Sequence, residues 1–136
     1  MKVYHGTNDT NATAIASKID VKKGGGELGR GFYAGENIAL AAAWAQGRFG
    51  SKNAKVVEID VPNSDFVSLS IKQIGHVRRL MRLWYRLQKK RTTRTYLFGS
   101  DVVVAPFATI SFSNQYKFES KTAETTLNSK ATVRIL

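Results

Sequence analysis

Between Gly24 and Gly35 the chain reads "GGGELGRGFYAG", so six of its eleven glycines fall within twelve residues. Such a stretch has too little side-chain volume and too much backbone freedom for a helix interior or a packed central strand. It is a loop, or a place where backbone runs close to something else. Gly24, Gly26 and Gly29 satisfy the G-x-G-x-x-G spacing of dinucleotide-binding folds, which requires a strand directly before and a helix opening directly after. Neither is present, because "GRGFYAG" intervenes before helical periodicity resumes at Asn37. A phosphate-binding P-loop is also excluded, since no Lys followed by Ser or Thr comes after the last glycine of the segment. The glycines therefore argue against a doubly wound parallel sheet.

The flanking segments agree. "KVYHGT" (2–7) is a predicted first strand, and Ala12, Ile15, Ala16 and Ile19 share one face of a predicted helix over Asn11 to Ile19, capped by Thr10 or Asn11. Asn37 caps a second helix whose Ile38, Ala41, Ala42 and Ala45 form a narrow apolar stripe, with Trp44 its one large side chain. "KVVEIDVP" (55–62) alternates apolar Val57, Ile59 and Val61 with Glu58 and Asp60, the pattern of a half-buried strand ended by Pro62. Ile71, Ile74, Val77, Met81, Trp84 and Leu87 predict a helix from Ser70 to about Lys90. Later strands are expected over 101–106, 108–113 with 114–118, and 130–136. Strands and helices mix without regular alternation, so the expected class is a single α+β domain with a mainly antiparallel sheet and flanking helices.

At 136 residues the chain suits one core, not two domains. It has no cysteine and two histidines, which excludes a disulfide framework or a cysteine-based zinc site, and no metal is expected. The N-terminus lacks the apolar run of a signal peptide, and no apolar run reaches membrane-spanning length, so a cytoplasmic protein without membrane association is expected.

The strongest compositional signal is charge. Lys and Arg number 21 against 10 Asp and Glu, a net +11 that points to polyanionic partners. No acidic residue lies between Asp65 and Asp101, where Lys72, Arg78, Arg79, Arg82, Arg86, Lys89, Lys90, Arg91 and Arg94 are concentrated. On the predicted helix, Arg79, Arg82, Arg86 and Lys90 line the face opposite the apolar stripe. The ordinary reading of such a face is solvation. The lack of compensating acids favours a nucleic-acid surface, on which Trp84 and Tyr85, if not core, would stack on unpaired bases.

"VYHGT" (3–7), "GRGFYAG" (29–35) about 25 residues later, and Trp44 eleven residues beyond Tyr33 occur in an order and spacing that resembles the ADP-ribosyltransferases of the diphtheria-toxin and poly(ADP-ribose) polymerase type. "DVVVAPFATI" and "NQYKF" look like the late strands of small bacterial proteins of this class. The resemblance covers most of the chain and fits the basic segment least. It implies a split, mainly antiparallel sheet and NAD as the ADP-ribose donor. It further implies that His5 bonds a ribose and Thr7 steadies it, that the Gly6 backbone meets the nicotinamide carboxamide, and that Gly31 brings the chain past the ligand. Tyr33 and Trp44 would clamp the nicotinamide ring, whose electron-poor cation suits an aromatic face. Arg30 would meet the pyrophosphate.

The family places a carboxylate on a late strand to stabilise the oxocarbenium-like ribose. Here the matching position in "SNQYKF" is Gln115, which can orient a hydroxyl but carries no charge and is no general base. Three readings stand open: a natural His-Tyr-Gln variant, another carboxylate among Asp101, Glu119 and Glu124, or an inactivating Glu-to-Gln replacement. The expected activity is transfer of ADP-ribose to nucleic acid, RNA in particular, by a protein resembling the toxins of bacterial toxin–antitoxin or phage-defence systems. An acidic antitoxin would then cover the basic helix. An NAD glycohydrolase and, in another class, a basic nucleic-acid-binding or ribonuclease-like module are the alternatives, separated by whether nicotinamide is released.

Overall fold

The computed structural model describes residues 1–75, 94–107 and 113–136. Strand β1 (Lys2–Asn8) runs straight into helix α1 (Asp9–Ser17), because the Asn8 side chain caps the helix by accepting from the Asn11 amide at 2.8 Å. The predicted start at Asn11 was thus two residues late. The glycine segment forms a minimal hairpin, β2 (Gly25–Gly26) and β3 (Gly29–Arg30), followed by strand β4 (Phe32–Gly35). Asn37 caps helix α2 (Ile38–Phe49) as expected, accepting from the Ala39 and Leu40 amides. Strand β5 (Ala54–Asp60), helix α3 (Asn63–Val67) and strand β6 (Ile71–Gln73) come next, then β7 (Val102–Pro106), β8 (Asn114–Phe118), helix α4 (Lys121–Ser129) and β9 (Thr132–Ile135).

Seven strands make one sheet in the order β6-β7-β8-β4-β1-β5-β9, antiparallel throughout except for the parallel β6/β7 pair. The α+β class and the mainly antiparallel core agree with the sequence. The predicted helix from Ser70 does not begin there: Ile71 to Gln73 pair with Val102 to Val104 instead. The reason is tertiary. Ser70 donates its amide to the Asp101 carboxylate at 2.8 Å and accepts from the Asp101 and Val102 amides, which draws the following residues onto β7 and overrides local periodicity. The remainder of the predicted basic helix, with Arg79, Arg82, Arg86 and Lys90, lies outside the described residues, as does 108–112 of the predicted strand. Helices α3 and α4 were not anticipated. In α4 only Ala123 and Leu127 supply apolar burial among threonines of modest helix propensity, and the Ser120 cap on the Ala123 amide carries the start.

Alternation along the strands divides the sheet into two faces. Val3, Phe32, Ala34, Val57, Ile59, Val102, Val104 and Phe118 turn to one, where Ala12 of α1 and Ala123 and Leu127 of α4 close the main core. Burial of each large aliphatic or aromatic side chain here stabilises the fold by about 1.5–3 kcal/mol. On the other face a second cluster of Leu28, Ile74, Val103 and Ala105 packs with Tyr33 and Phe98, and α2 crosses β1 and β5.

Helix α2 comes close because of Gly6. A Cβ on Gly6 would sit 2.1 Å from the Ala41 carbonyl oxygen and 3.2 Å from the Ala45 methyl. The alanine stripe and the glycine are therefore two halves of one close contact.

The ladder is uneven. Seven register pairs join β1 to β5, whereas β1 and β4 share one, Tyr4 with Gly35. The sheet is thus two halves, β6-β7-β8-β4 and β1-β5-β9, meeting at a narrow seam.

Candidate active site at the seam of the sheet

The seam gathers three of the segments singled out in the sequence. His5 lies on β1, Tyr33 on β4, and Gln115 on β8, where it pairs in register with Gly35. His5 and Tyr33 turn to opposite faces. The imidazole stacks on Phe32, ring centres 4.9 Å apart, and its Nδ1–H donates to the Tyr33 carbonyl across the seam at 2.5 Å. Burial lowers the His5 pKa more than the bond to that carbonyl raises it, so the ring is neutral at pH 7. Thr7 is buried on the same side as His5.

Tyr33 points to the second face, where the glycine hairpin wraps its ring. Gly26 lies against the ring, since a Cβ there would be 2.9 Å from Cζ. The phenol donates to the Gly29 carbonyl at 2.5 Å and accepts from the Leu28 amide at 3.0 Å. Burial, the dominant influence, raises its pKa well above the ordinary value, and the phenol stays protonated. Tyr96 pins the hairpin from outside. Its hydroxyl donates to the Glu27 carbonyl, and its own carbonyl accepts from the Arg30 amide at 3.1 Å. Gly29 sits at φ +87° beneath that carbonyl, where a Cβ would be 2.0 Å from the oxygen, so only glycine fits. The glycine stretch, read from the sequence as a loop or a place of close backbone approach, folds over Tyr33.

Gln115 is 4% exposed, flanked in register by Gly35 and Ala105, and its Nε2–H donates to a carboxylate oxygen of Glu27 at the hairpin turn. Glu27 is the residue that sequence reasoning missed. It sits 88 positions from Gln115. Nothing in local pattern ties the two, though a lone acid in a glycine turn was the available signal.

The three carboxylates proposed from sequence all hold backbone. Glu119 accepts from the Phe98 amide at 2.9 Å and the Gly99 amide at 2.9 Å, and pairs with Lys117, whose side chain is fully buried. Burial lowers the Lys117 pKa, and Glu119 opposes it. Glu124 accepts from the Val21 amide at 3.2 Å and pairs with Lys121 at 2.7 Å. Asp101 accepts from the Ser70 amide and, at 2.6 Å, from the Ser120 hydroxyl. Burial works against its charge, but these bonds outweigh it and hold its pKa below the usual carboxylate range.

Gly31 leaves room for the Lys117 stem, which a Cβ would meet at 2.4 Å. The Arg30 Nε is buried and has no hydrogen-bond partner among the described residues. Trp44 is not brought against Tyr33. It is 57% exposed on α2, edge-on to Phe49 at 6.2 Å with the Arg48 guanidinium 5.5 Å over its ring.

Among the described residues no group of His, Asp and Glu is arranged to hold a metal, and no helix is long and apolar enough to cross a membrane. No known protein-family model matches the chain, and no curated protein matches it either.

Proposed function

We propose that this protein is an NAD-dependent mono-ADP-ribosyltransferase whose substrate lies at the sheet seam, on the face that carries Tyr33 and Gln115. The observation that carries the reading is the convergence at one place of segments far apart in sequence. The strands bearing His5-Gly6, Tyr33 and Gln115 are consecutive in the sheet, β1, β4 and β8, and they meet where the ladder narrows to the Tyr4/Gly35 pair. The resemblance implies a split, mainly antiparallel sheet, and here those residues lie on strands that meet at the narrow seam.

In this reading Tyr33 supplies the aromatic floor for nicotinamide, and the Arg30 Nε, which has no hydrogen-bond partner among the described residues, meets the pyrophosphate. Gly6 offers main-chain groups to the carboxamide. His5 acts from behind by fixing the Tyr33 carbonyl, with buried Thr7 beside it in the strand. Trp44 closes on the ring only after ligand enters, since its exposed side chain is free of core packing. The positively charged nicotinamide leaves with the electron pair of its bond to ribose C1′, and an acceptor nucleophile replaces it.

The +11 charge, concentrated between Lys72 and Arg94, favours RNA as acceptor and an acidic protein antitoxin as partner, both in the cytoplasm. The test is incubation of the purified protein with NAD labelled in the adenylate, with and without total RNA. Nicotinamide release with label on RNA is expected. Label only in free ADP-ribose identifies a glycohydrolase, and absence of nicotinamide under both conditions refutes NAD chemistry and leaves a basic nucleic-acid-binding module.

A further inference from the structure

We propose that Glu27, at the turn of the β2/β3 hairpin, is the catalytic carboxylate of this site, with Gln115 as its positioning residue. The inference rests on the NAD reading above and names a group which that reading lacked. A late-strand glutamine cannot bear the negative charge needed beside a developing oxocarbenium ion or take a proton. In the fold, that glutamine is not alone. Its side-chain amide donates to the Glu27 carboxylate, so the charge absent from β8 is brought beside it by the hairpin.

The other candidate acids serve the frame. Asp101, Glu119 and Glu124 accept from the Ser70, Phe98, Gly99 and Val21 amides, and moving any of them would break those bonds. The Glu27 backbone is tied to the frame by the Tyr96 hydroxyl on its carbonyl, and its carboxylate accepts from Gln115. It lies in the two-residue turn between Gly26, which packs on the Tyr33 ring, and Gly29, and the Tyr33 phenol bonds the next two residues, Leu28 and Gly29.

The step balances without a co-reactant beyond NAD and the acceptor. The bond between ribose C1′ and the pyridinium nitrogen breaks, with its electron pair leaving on nicotinamide. An acceptor hydroxyl oxygen forms the new bond to C1′, and its proton passes to Glu27 and on to water. When water is the acceptor the same transfer gives free ADP-ribose.

The test compares Glu27→Gln, Glu27→Asp and Gln115→Ala with the unaltered protein in nicotinamide release, calorimetric NAD binding and thermal unfolding. For Glu27→Gln, a fall of about 100-fold or more in release is expected, the usual size of a general-base contribution, with NAD affinity within about threefold and the melting temperature unchanged. Glu27→Asp should recover part of the loss. Gln115→Ala should lower kcat by about tenfold with KM little changed, a split that a purely structural role would not produce.

Release by Glu27→Gln within twofold of the unaltered protein overturns the assignment while leaving the NAD reading intact. Faster release by Glu27→Gln also overturns it, because it makes the carboxylate a plug on Gln115. If the unaltered protein neither binds NAD nor releases nicotinamide, the NAD reading itself fails and takes this inference with it.

Discussion

Glu119 pairs with the fully buried Lys117, and Glu119→Gln is the variant most informative about the fold. The glutamine retains an oxygen that can accept from the Phe98 and Gly99 amides, so those bonds largely persist. What is lost is the charge opposite Lys117, whose side chain is fully buried. If Lys117 keeps its proton, an unpaired buried charge costs about 3–5 kcal/mol. If it loses the proton, the cost at pH 7 is set by the unfolded-state lysine pKa near 10.4, about 1.4 kcal/mol per unit, or about 4.6 kcal/mol. The smaller of the two governs, so a destabilisation of about 3–4.6 kcal/mol is expected at pH 7. For 136 residues that is a melting-temperature loss of roughly 10–15 °C.

The pH dependence has a definite sign. In the unaltered protein burial already lowers the Lys117 pKa against the opposition of Glu119. Without Glu119 the folded-state pKa falls further below the unfolded value, so the unfolded chain binds the extra proton and the variant gains stability as pH rises. By pH 9 the deprotonation cost is down to about 1.9 kcal/mol. Urea unfolding of both proteins from pH 7 to 9 measures this. A double variant, Lys117→Met with Glu119→Gln, should recover most of the loss, because no lone charge remains. An unfolding midpoint equal to that of the unaltered protein at pH 7, or a stability gap that does not narrow with pH, would refute the buried-pair reasoning.

Four further outcomes follow from the geometry. Tyr33→Phe removes the hydroxyl that bonds Leu28 and Gly29, which should loosen the hairpin and destabilise the fold by about 1–2 kcal/mol; hydrogen exchange at the Leu28 amide should rise with it. Gly6→Ala drives a methyl into the Ala41 carbonyl and should cost about 1–3 kcal/mol in urea unfolding, with α2 displaced. Trp44→Ala, at an exposed position, should change stability by less than about 0.5 kcal/mol yet raise KM for NAD, and an unchanged KM would remove Trp44 from the clamp. Reversal of Arg82 and Arg86 to Glu should weaken RNA binding and flatten its salt dependence while NAD binding stays within about twofold; equal loss of both would mark those arginines as structural.

The hairpin also bears on how ligand enters. Leu28 is fully buried, Tyr33 is bonded twice to the hairpin and Tyr96 twice more, so the site is covered when the hairpin is down. On the NAD reading it lifts to admit ligand and closes again to return Glu27 to Gln115, and burying Leu28 alone opposes lifting by about 2 kcal/mol. Apparent affinity is reduced by the fraction of molecules that are open, so Tyr33→Phe has two effects of opposite sign on NAD binding: a looser hairpin and an altered floor.

Much of the fold was legible locally. The alternation of Val57, Ile59 and Val61, the Asn37 cap and the Gly6-Thr7 end of β1 are decided within a few residues, where periodicity and capping act, and each lies close to where it was expected. The strand at Ile71 was not legible, because its pairing with β7 depends on Asp101 reaching Ser70 across 31 positions. The site divides the same way. His5, Tyr33 and Gln115 were singled out through the family resemblance, by the order and spacing of the segments that carry them. That His5 and Tyr33 face opposite sides, that Trp44 stands apart on α2, and that Glu27 meets Gln115 were set by strand order, register and hairpin packing. Those are long-range pairings, fixed by how a whole sheet buries its two faces, and no window of sequence contains them.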